Sequence, residues 1–186
     1  MRTFIAIELT DEIKNELARI QARLKYAGGD VKWVEKDNIH LTLKFLGEVQ
    51  EERIDDVVSK LEAVAKVSKP FEMTIKDTGA FPNIDYPRVI WAGLDKGAGE
   101  SKEIAQKIDE GLEQLGFQKE TRAFSPHLTI GRVRSSKNKL ELKEKVLSAK
   151  IEKPLAQRVD SVILFKSELT SNGPIYTRLH ASGLSR

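Results

Sequence analysis

Stretches of this chain repeat at an offset near 87 residues, and that repetition limits the folds open to it. His40-Leu41-Thr42-Leu43 matches His127-Leu128-Thr129-Ile130, Thr3 matches Arg88, Ile75 matches Val162 and Val89 matches Tyr176. A constant offset over several elements signals an internal duplication, with a period too long for a solenoid. Each half begins with a strand, over 3–8 and over 88–94, followed by an amphipathic helix. Thr10 caps the first helix, Ile13, Leu17, Ile20 and Leu24 line it, and Gly28-Gly29 stops it. In the second half Ile104, Ile108, Leu112 and Leu115 play the same part, ended by Gly116.

A short strand over 31–34 leads into the His40 strand, which Gly47 ends. Ile54, Val57, Val58, Leu61, Val64 and Ala65 then mark the inner side of a second helix. Further strands are expected over 71–76, around His127, over 159–165 and over 175–180, with a proline-bearing loop over 79–87 and a short helix over 140–147. The expected fold class is α+β, a single bilobal domain spanning 1–186. Its lobes, approximately 1–87 and 88–186, are related by a pseudo-two-fold axis, each an antiparallel sheet backed by helices, with a central groove.

The duplicated tetrads carry the chemistry. The chain has three histidines and nine threonines, so His-x-Thr at two of the three histidines has a chance of about one in a hundred by composition, and the pair asks for a reason. On a strand, residues two apart share a face, which sets His40 with Thr42 and His127 with Thr129. Histidine ionises near pH 6.5, so one copy serves as base and the other as acid near neutrality. A groove with one imidazole on each side suits an in-line displacement at phosphorus. The Thr42 and Thr129 hydroxyls would donate to the non-bridging oxygens as charge grows there. Arg132 would add a fork of donors, provided a bulge at Gly131 or a strand end turns it to the face of His127. Lys44 has the parity of His40 and reads equally as a solvated strand residue. His180, in the last strand, matches Gly93 or Leu94 and has no duplicated partner.

Other chemistries lack their residues. No cysteine is present, which removes disulfides and thiolates and suits a reducing cytoplasm. There is no His-Glu-x-x-His, no G-x-S-x-G and no Walker loop; Gly97-Ala98-Gly99 reads as a turn before a helix. The run Phe4-Ile5-Ala6-Ile7 is too short and too closely followed by acids for a signal peptide, and no stretch reaches membrane-spanning length. The net charge of +3 is uneven: residues 1–93 hold 14 basic and 16 acidic side chains, residues 94–186 hold 17 and 12. A polyanion would prefer the second half, at the scale of a few phosphates. Phe81, Tyr86, Phe124 and Tyr176 are candidates to stack on a base.

These residues resemble a known family. Paired His-x-Thr-x tetrads are similar to those of the two-histidine phosphoesterase superfamily. The opening Arg2-Thr3-Phe4-Ile5-Ala6-Ile7-Glu8, the run from His40 to Gly47, Ser125-Pro126-His127 and the Gly173-Pro174 segment resemble the RNA 2',3'-cyclic phosphodiesterases, also called 2'-5' RNA ligases. The resemblance covers essentially the whole chain. It implies hydrolysis of an RNA 2',3'-cyclic phosphate end to a 2'-phosphomonoester, with no metal and no cofactor. It also implies His127 as base and His40 as acid; the sequence itself is symmetric and leaves the two roles open. Run backwards with a 5'-hydroxyl, the reaction makes a 2'-5' linkage. A monomeric cytoplasmic protein acting on RNA ends, tRNA fragments among them, is the expectation. Small cyclic nucleotides, ADP-ribose cyclic phosphate, 2'-5' oligoadenylates and a non-catalytic RNA-end binder are the alternatives.

Overall fold

Thirteen elements follow one another in the computed structural model, which describes every residue except 150, 152–154 and 186. They are β1 (Arg2–Glu8), α1 (Asp11–Lys25), β2 (Val31–Trp33), β3 (His40–Glu48), α2 (Ile54–Lys66), β4 (Phe71–Phe81) and β5 (Val89–Leu94). After these come α3 (Ala98–Glu113), β6 (His127–Val133), α4 (Lys139–Ser148), β7 (Ala156–Val159), β8 (Ser161–Thr170) and β9 (Gly173–Gly183). Thr10 caps α1 by accepting from the Ile13 N–H, with Asp11 and Glu12 favourably placed in the first turn. The helical spacing of Ile13, Leu17, Ile20 and Leu24 puts all four in the core.

The helices pack their apolar faces on one side of the sheet. Strand residues of one parity, Ile5, Ile7, Leu41, Ile75, Ile90, Leu128 and Leu164, join Leu17, Leu61, Ile108 and Leu142 of the helices in a single core. Each large apolar side chain removed from water there contributes roughly 1.5–3 kcal/mol. Strand residues of the other parity, Phe4, Ala6, Ile163 and Phe165, form a second, smaller cluster with Tyr176 on the opposite, open face. One sequence thus builds two unequal faces, a thick helical core and a thin aromatic floor.

The strand order is β7-β4-β5-β6-β3-β1-β8-β9, all pairs antiparallel, with β2 added beside β6. The two central strands, β6 and β3, meet at the single register pair Leu41↔Leu128. The strands on either side of that seam mirror each other, β5 answering β1 and β4 answering β8. Three features depart from the sequence reading. The strands next to the two edges exchange: β4, from the first half of the chain, pairs with β5, and β8, from the second half, pairs with β1. In sheet position β9 therefore answers β7, not β5, and the match of Val89 with Tyr176 has no structural counterpart. The stretch over 159–165 is two strands, β7 and β8, separated by Asp160, and they lie on opposite flanks of the order, β7 at one edge and β8 next to the other. A one-residue connection between them requires the sheet to curl. Gln157 ties the curl shut, its amide donating to the Glu8 carbonyl at 2.7 Å while its oxygen accepts from the Thr10 N–H at 3.0 Å. Gly79 to Phe81, expected in a loop, extend β4; Gly79 is needed there because a Cβ would lie 2.4 Å from Cζ2 of the Trp91 ring.

Candidate active site

The seam between β3 and β6 positions the duplicated tetrads. Because Leu41 and Leu128 are register partners with fully buried side chains, antiparallel geometry sets His40 opposite Thr129 and Thr42 opposite His127. All four side chains then leave the sheet on the open face, away from the helices. The two imidazoles stand diagonally across the seam, a relation that in a regular ladder separates residues by about 7–8 Å. A phosphate group flanked by both rings fits that spacing.

Each ring is held by the same device. His40 Nδ1 lies 2.8 Å from the Asn38 carbonyl, and His127 Nδ1 lies 2.7 Å from the Ser125 carbonyl. A carbonyl oxygen only accepts, so Nδ1 carries the hydrogen in both rings and Nε2 is left for chemistry. The acceptor residue is itself anchored at the first site, where the Asn38 amide donates to the Pro174 carbonyl at 2.9 Å. Neither threonine hydroxyl has a hydrogen-bond partner among the described residues, although both are half-buried, so both are available to a ligand.

The surroundings of the two rings differ. Phe4 stacks on His40 with centroids 4.7 Å apart, Tyr176 meets it edge-on at 5.3 Å, and Phe165 lies at 6.5 Å. His127 meets Phe81 edge-on at 4.9 Å. Burial among the aromatics pushes the His40 pKa down to about 4, against the pull of its bond to Asn38 and with a small further push from the Lys14 charge. Its imidazole is neutral at pH 7. The same burial raises the Tyr176 hydroxyl, a shift that the positive charges of Arg132 and Arg2 oppose.

A bulge in each central strand sets which way the residues beyond the tetrads point. β1 pairs Ile5 with Lys44 and Ala6 with Thr42, skipping Leu43; β5 pairs Ile90 with Gly131 and Trp91 with Thr129, skipping Ile130. Leu43 and Ile130 are the extra residues, at duplicated positions, and both are buried. The alternation resets after each. Arg132, opposite Val89, returns to the face of His127 and Thr129, and its charge is felt at Tyr176 across the site. Lys44 is turned the other way. It is buried under α3, paired with Asp109 and donating to the Gln118 carbonyl at 3.0 Å, so it belongs neither to the His40 face nor to the solvated surface.

Other expected positions fall outside the site. His180 on β9 sits 3.2 Å from Glu62 of α2, Phe124 packs on the helical core, and Tyr86 lies in the loop before β5 with Lys139 over its ring. Gly97 takes a left-handed conformation at the start of α3, against the backbone of β4 at Glu72 and Met73. Phe81 and Tyr176 do flank the histidines. Sequence reading missed Phe45, 61% exposed beside Phe4 at the position that answers Arg132, and Lys32, the cross-strand neighbour of Arg132. Only the bulges reveal Phe45, and only the β2–β6 pairing reveals Lys32. Among the described residues no cluster of three His, Asp or Glu side chains is placed to hold a metal ion, and no helix is long and apolar enough to cross a membrane.

Comparison with known proteins agrees with this layout. The model of the LigT-like phosphoesterase family matches the chain twice, over residues 7–91 and 94–176. A Methanocaldococcus jannaschii protein named RNA 2',3'-cyclic phosphodiesterase is 42% identical over 176 residues, 95% of this chain and 96% of its own length. A Thermotoga maritima protein of the same name is 35% identical over 180 residues, 97% and 94% of the two chains. Among solved structures, one from Thermus thermophilus superposes with a TM-score of 0.80 at 29% identity, covering 99% and 98% of the two chains. E. coli LigT in complex with 3'-AMP shares the fold, with a TM-score of 0.78 at 24% identity over 100% and 98%. With the family model matched across both tetrads and relatives aligned nearly end to end, the chain belongs to the LigT-like phosphoesterase family of enzymes.

Proposed function

We propose that the protein hydrolyses RNA 2',3'-cyclic phosphate ends to 2'-phosphomonoesters, by acid-base catalysis between His127 and His40. The observation that carries this reading is the pair of imidazoles, each with Nδ1 held by the carbonyl two residues earlier and Nε2 free, facing one another diagonally across the Leu41–Leu128 seam. The name borne by the Methanocaldococcus and Thermotoga relatives, RNA 2',3'-cyclic phosphodiesterase, supports the same substrate.

In this mechanism His127 Nε2 takes a proton from water as its oxygen bonds to phosphorus. The P–O3' bond breaks in line, and His40 Nε2–H gives its proton to the departing O3', leaving the phosphate on O2'. In the resting enzyme His40 is neutral with Nε2 unprotonated, so it must take up a proton before it can act as the acid, and the anionic phosphodiester favours that uptake by raising its proton affinity when substrate is bound. Thr42 and Thr129 donate to the non-bridging oxygens, whose charge grows in the transition state, and Arg132 adds a cation at the edge of the site. The same ring-opening displacement with an RNA 5'-hydroxyl in place of water, His127 taking the hydroxyl proton and His40 giving one to O3', forms a 2'-5' bond.

The test is a defined RNA with a 2',3'-cyclic phosphate end, incubated with the protein in strong chelator. The expected product carries its phosphate on O2', and His40→Ala and His127→Ala each lose about a thousandfold or more in kcat. Substantial activity in both variants, or phosphate left on O3', refutes the assignment. Loss of wild-type activity in chelator refutes a mechanism carried by the two imidazoles alone.

A further inference from the structure

Beyond the tetrad, β6 runs into a basic region that the proposed chemistry does not use. Between Thr129 and Glu141 the chain carries Arg132, Arg134, Lys137 and Lys139 with no acidic residue. β2 sets Lys32 directly opposite Arg132, and like charges facing across a ladder repel. Both side chains are exposed, and neither has an acidic partner among the described residues. Such a pair is relieved by an anion lying over it.

Past that pair, β6 ends at a cleft of about 530 Å³ whose polar lining is Tyr86, Arg88, Arg134, Ser135, Ser136 and Lys139. The two arginines have no ion-pair partner among the described residues. Asp85, beside the cleft, is engaged by Lys143 of α4. The Tyr86 ring is 71% exposed, with Lys139 Nζ 4.1 Å from its centroid on one side, so a base has a flat surface to stack on. The start of α4 also opens here. Asn138, at the cap position, gives its amide to the Ala27 and Gly28 carbonyls at 3.1 Å each, and no side chain caps the first turn.

We propose that this cleft binds an internal phosphodiester and its base in a single RNA strand whose reacting end lies between His40 and His127. The inference rests on the RNA-end reading above and extends it to the body of the substrate. Arg134 follows the end of β6, seven residues past His127, a span of at most roughly 23 Å at 3.3 Å for each residue, the reach of a few nucleotides. Lys32 and Arg132 stand along the way, so the strand crosses one cationic surface from its end to the cleft.

Two substrates separate this site from the catalytic one: a nucleoside 2',3'-cyclic phosphate, too small to reach the cleft, and a short single-stranded RNA with the same end. Arg88→Gln combined with Arg134→Gln should raise KM for the RNA about tenfold with kcat unchanged, and flatten its salt dependence by about 0.7 in log-log slope for each phosphate no longer neutralised. Tyr86→Ala should raise the same KM, and neither change should alter the constants for the nucleoside substrate. An unchanged KM for the RNA overturns the proposal, as does an equal rise for both substrates. In a binding assay with RNA ending in a 2'-phosphate, competition by adenosine monophosphate as effective as by the RNA itself would assign the cleft to free nucleotides and overturn it too. Failure of the RNA-end reading looks different, since the wild-type protein would then convert neither substrate.

Discussion

The neutral His40 has a consequence for stability that acid titration can read. In the unfolded chain its imidazole takes a proton near pH 6.5; in the folded protein, buried against Phe4, Phe165 and Tyr176, it does so near 4. Above 6.5 the ring is neutral in both states and has no influence on the equilibrium. As pH falls from 6.5 to 4 the unfolded state binds a proton that the folded state refuses, and stability is lost. Below 4 both states are protonated and the loss stops growing. A fall from 6.5 to about 4, at about 1.4 kcal/mol per tenfold change in proton affinity, corresponds to roughly 3–4 kcal/mol at most. That is a large part of the roughly 5–15 kcal/mol typical of a domain.

Denaturant unfolding at pH 7 and pH 4.5, on the wild type and on His40→Gln, isolates this contribution. Glutamine keeps an N–H for the Asn38 carbonyl and cannot ionise. Carboxylates that begin to take up protons over this interval do so in both proteins, and Asp85, held below the usual carboxylate range by Lys143, stays ionised throughout, so only the difference between the two reports His40. The wild type should lose about 2–3 kcal/mol more than the variant over that interval. Parallel losses would show that His40 is not desolvated, and the account of a resting neutral acid would fall with it. The functional counterpart is proton uptake. A 2'-phosphorylated product binding at pH 6 should draw close to one proton into the protein, seen as a dependence of binding heat on buffer ionisation.

Three further outcomes rest on the site and its support. Thr42→Val and Thr129→Val should each lower kcat on a cyclic phosphate end by about tenfold to a thousandfold while moving KM less, because their hydroxyls have no other partner among the described residues; an unchanged kcat makes them structural. Lys44→Met should cost about 3 kcal/mol in denaturant unfolding by stranding Asp109 under α3, yet leave activity per folded molecule near wild type, since Lys44 points away from the histidines. Gly79→Ala should cost about 1–3 kcal/mol, its new methyl forcing the Trp91 ring toward Phe81, and should slow turnover through the Phe81 contact with His127.

What the sequence shows of this protein is what depends on local pattern. The four helices, the two tetrads and their shared face follow from spacing alone, because Leu41 and Leu128 must be buried and the residues beside them must not. What it hides depends on pairing between distant strands. Leu43 fits an unbroken alternation, so nothing marks it as a bulge, and simple parity then puts Lys44 on the histidine face, which the structure reverses. At Ile130 only the glycine that follows hints at a bulge, and the one found there turns Arg132 to the face of His127, as its expected place required. The exchange of β4 and β8 is hidden for the same reason: each follows its helix at the same point of the repeat, and only the partner strand shows which end of the sheet it joins. β7 is illegible in the sequence because Ala156-Gln157-Arg158-Val159 is short and half polar, and its strand character comes from lying against β4.

The duplication explains the site's strength and poses its difficulty. Two copies of one backbone device give two imidazoles with the same tautomer and the same free nitrogen, which by symmetry would share one proton affinity. An in-line displacement needs the opposite, one ring ready to take a proton and one ready to give it. The residues that break the symmetry are those outside the tetrads. Glu8 is the cross-strand partner of His40 where Gly93 is that of His127, Ala6 stands where Trp91 stands, and Phe45 occupies the place of Arg132. Tyr176, on the strand that answers β7, closes over His40. On the proposed mechanism the division of labour between the histidines would rest with β1, β5, β8 and β9, and replacing the floor residue Phe4 with valine, the residue at the matching position 89, should raise the proton affinity of His40 while leaving the paired motif intact.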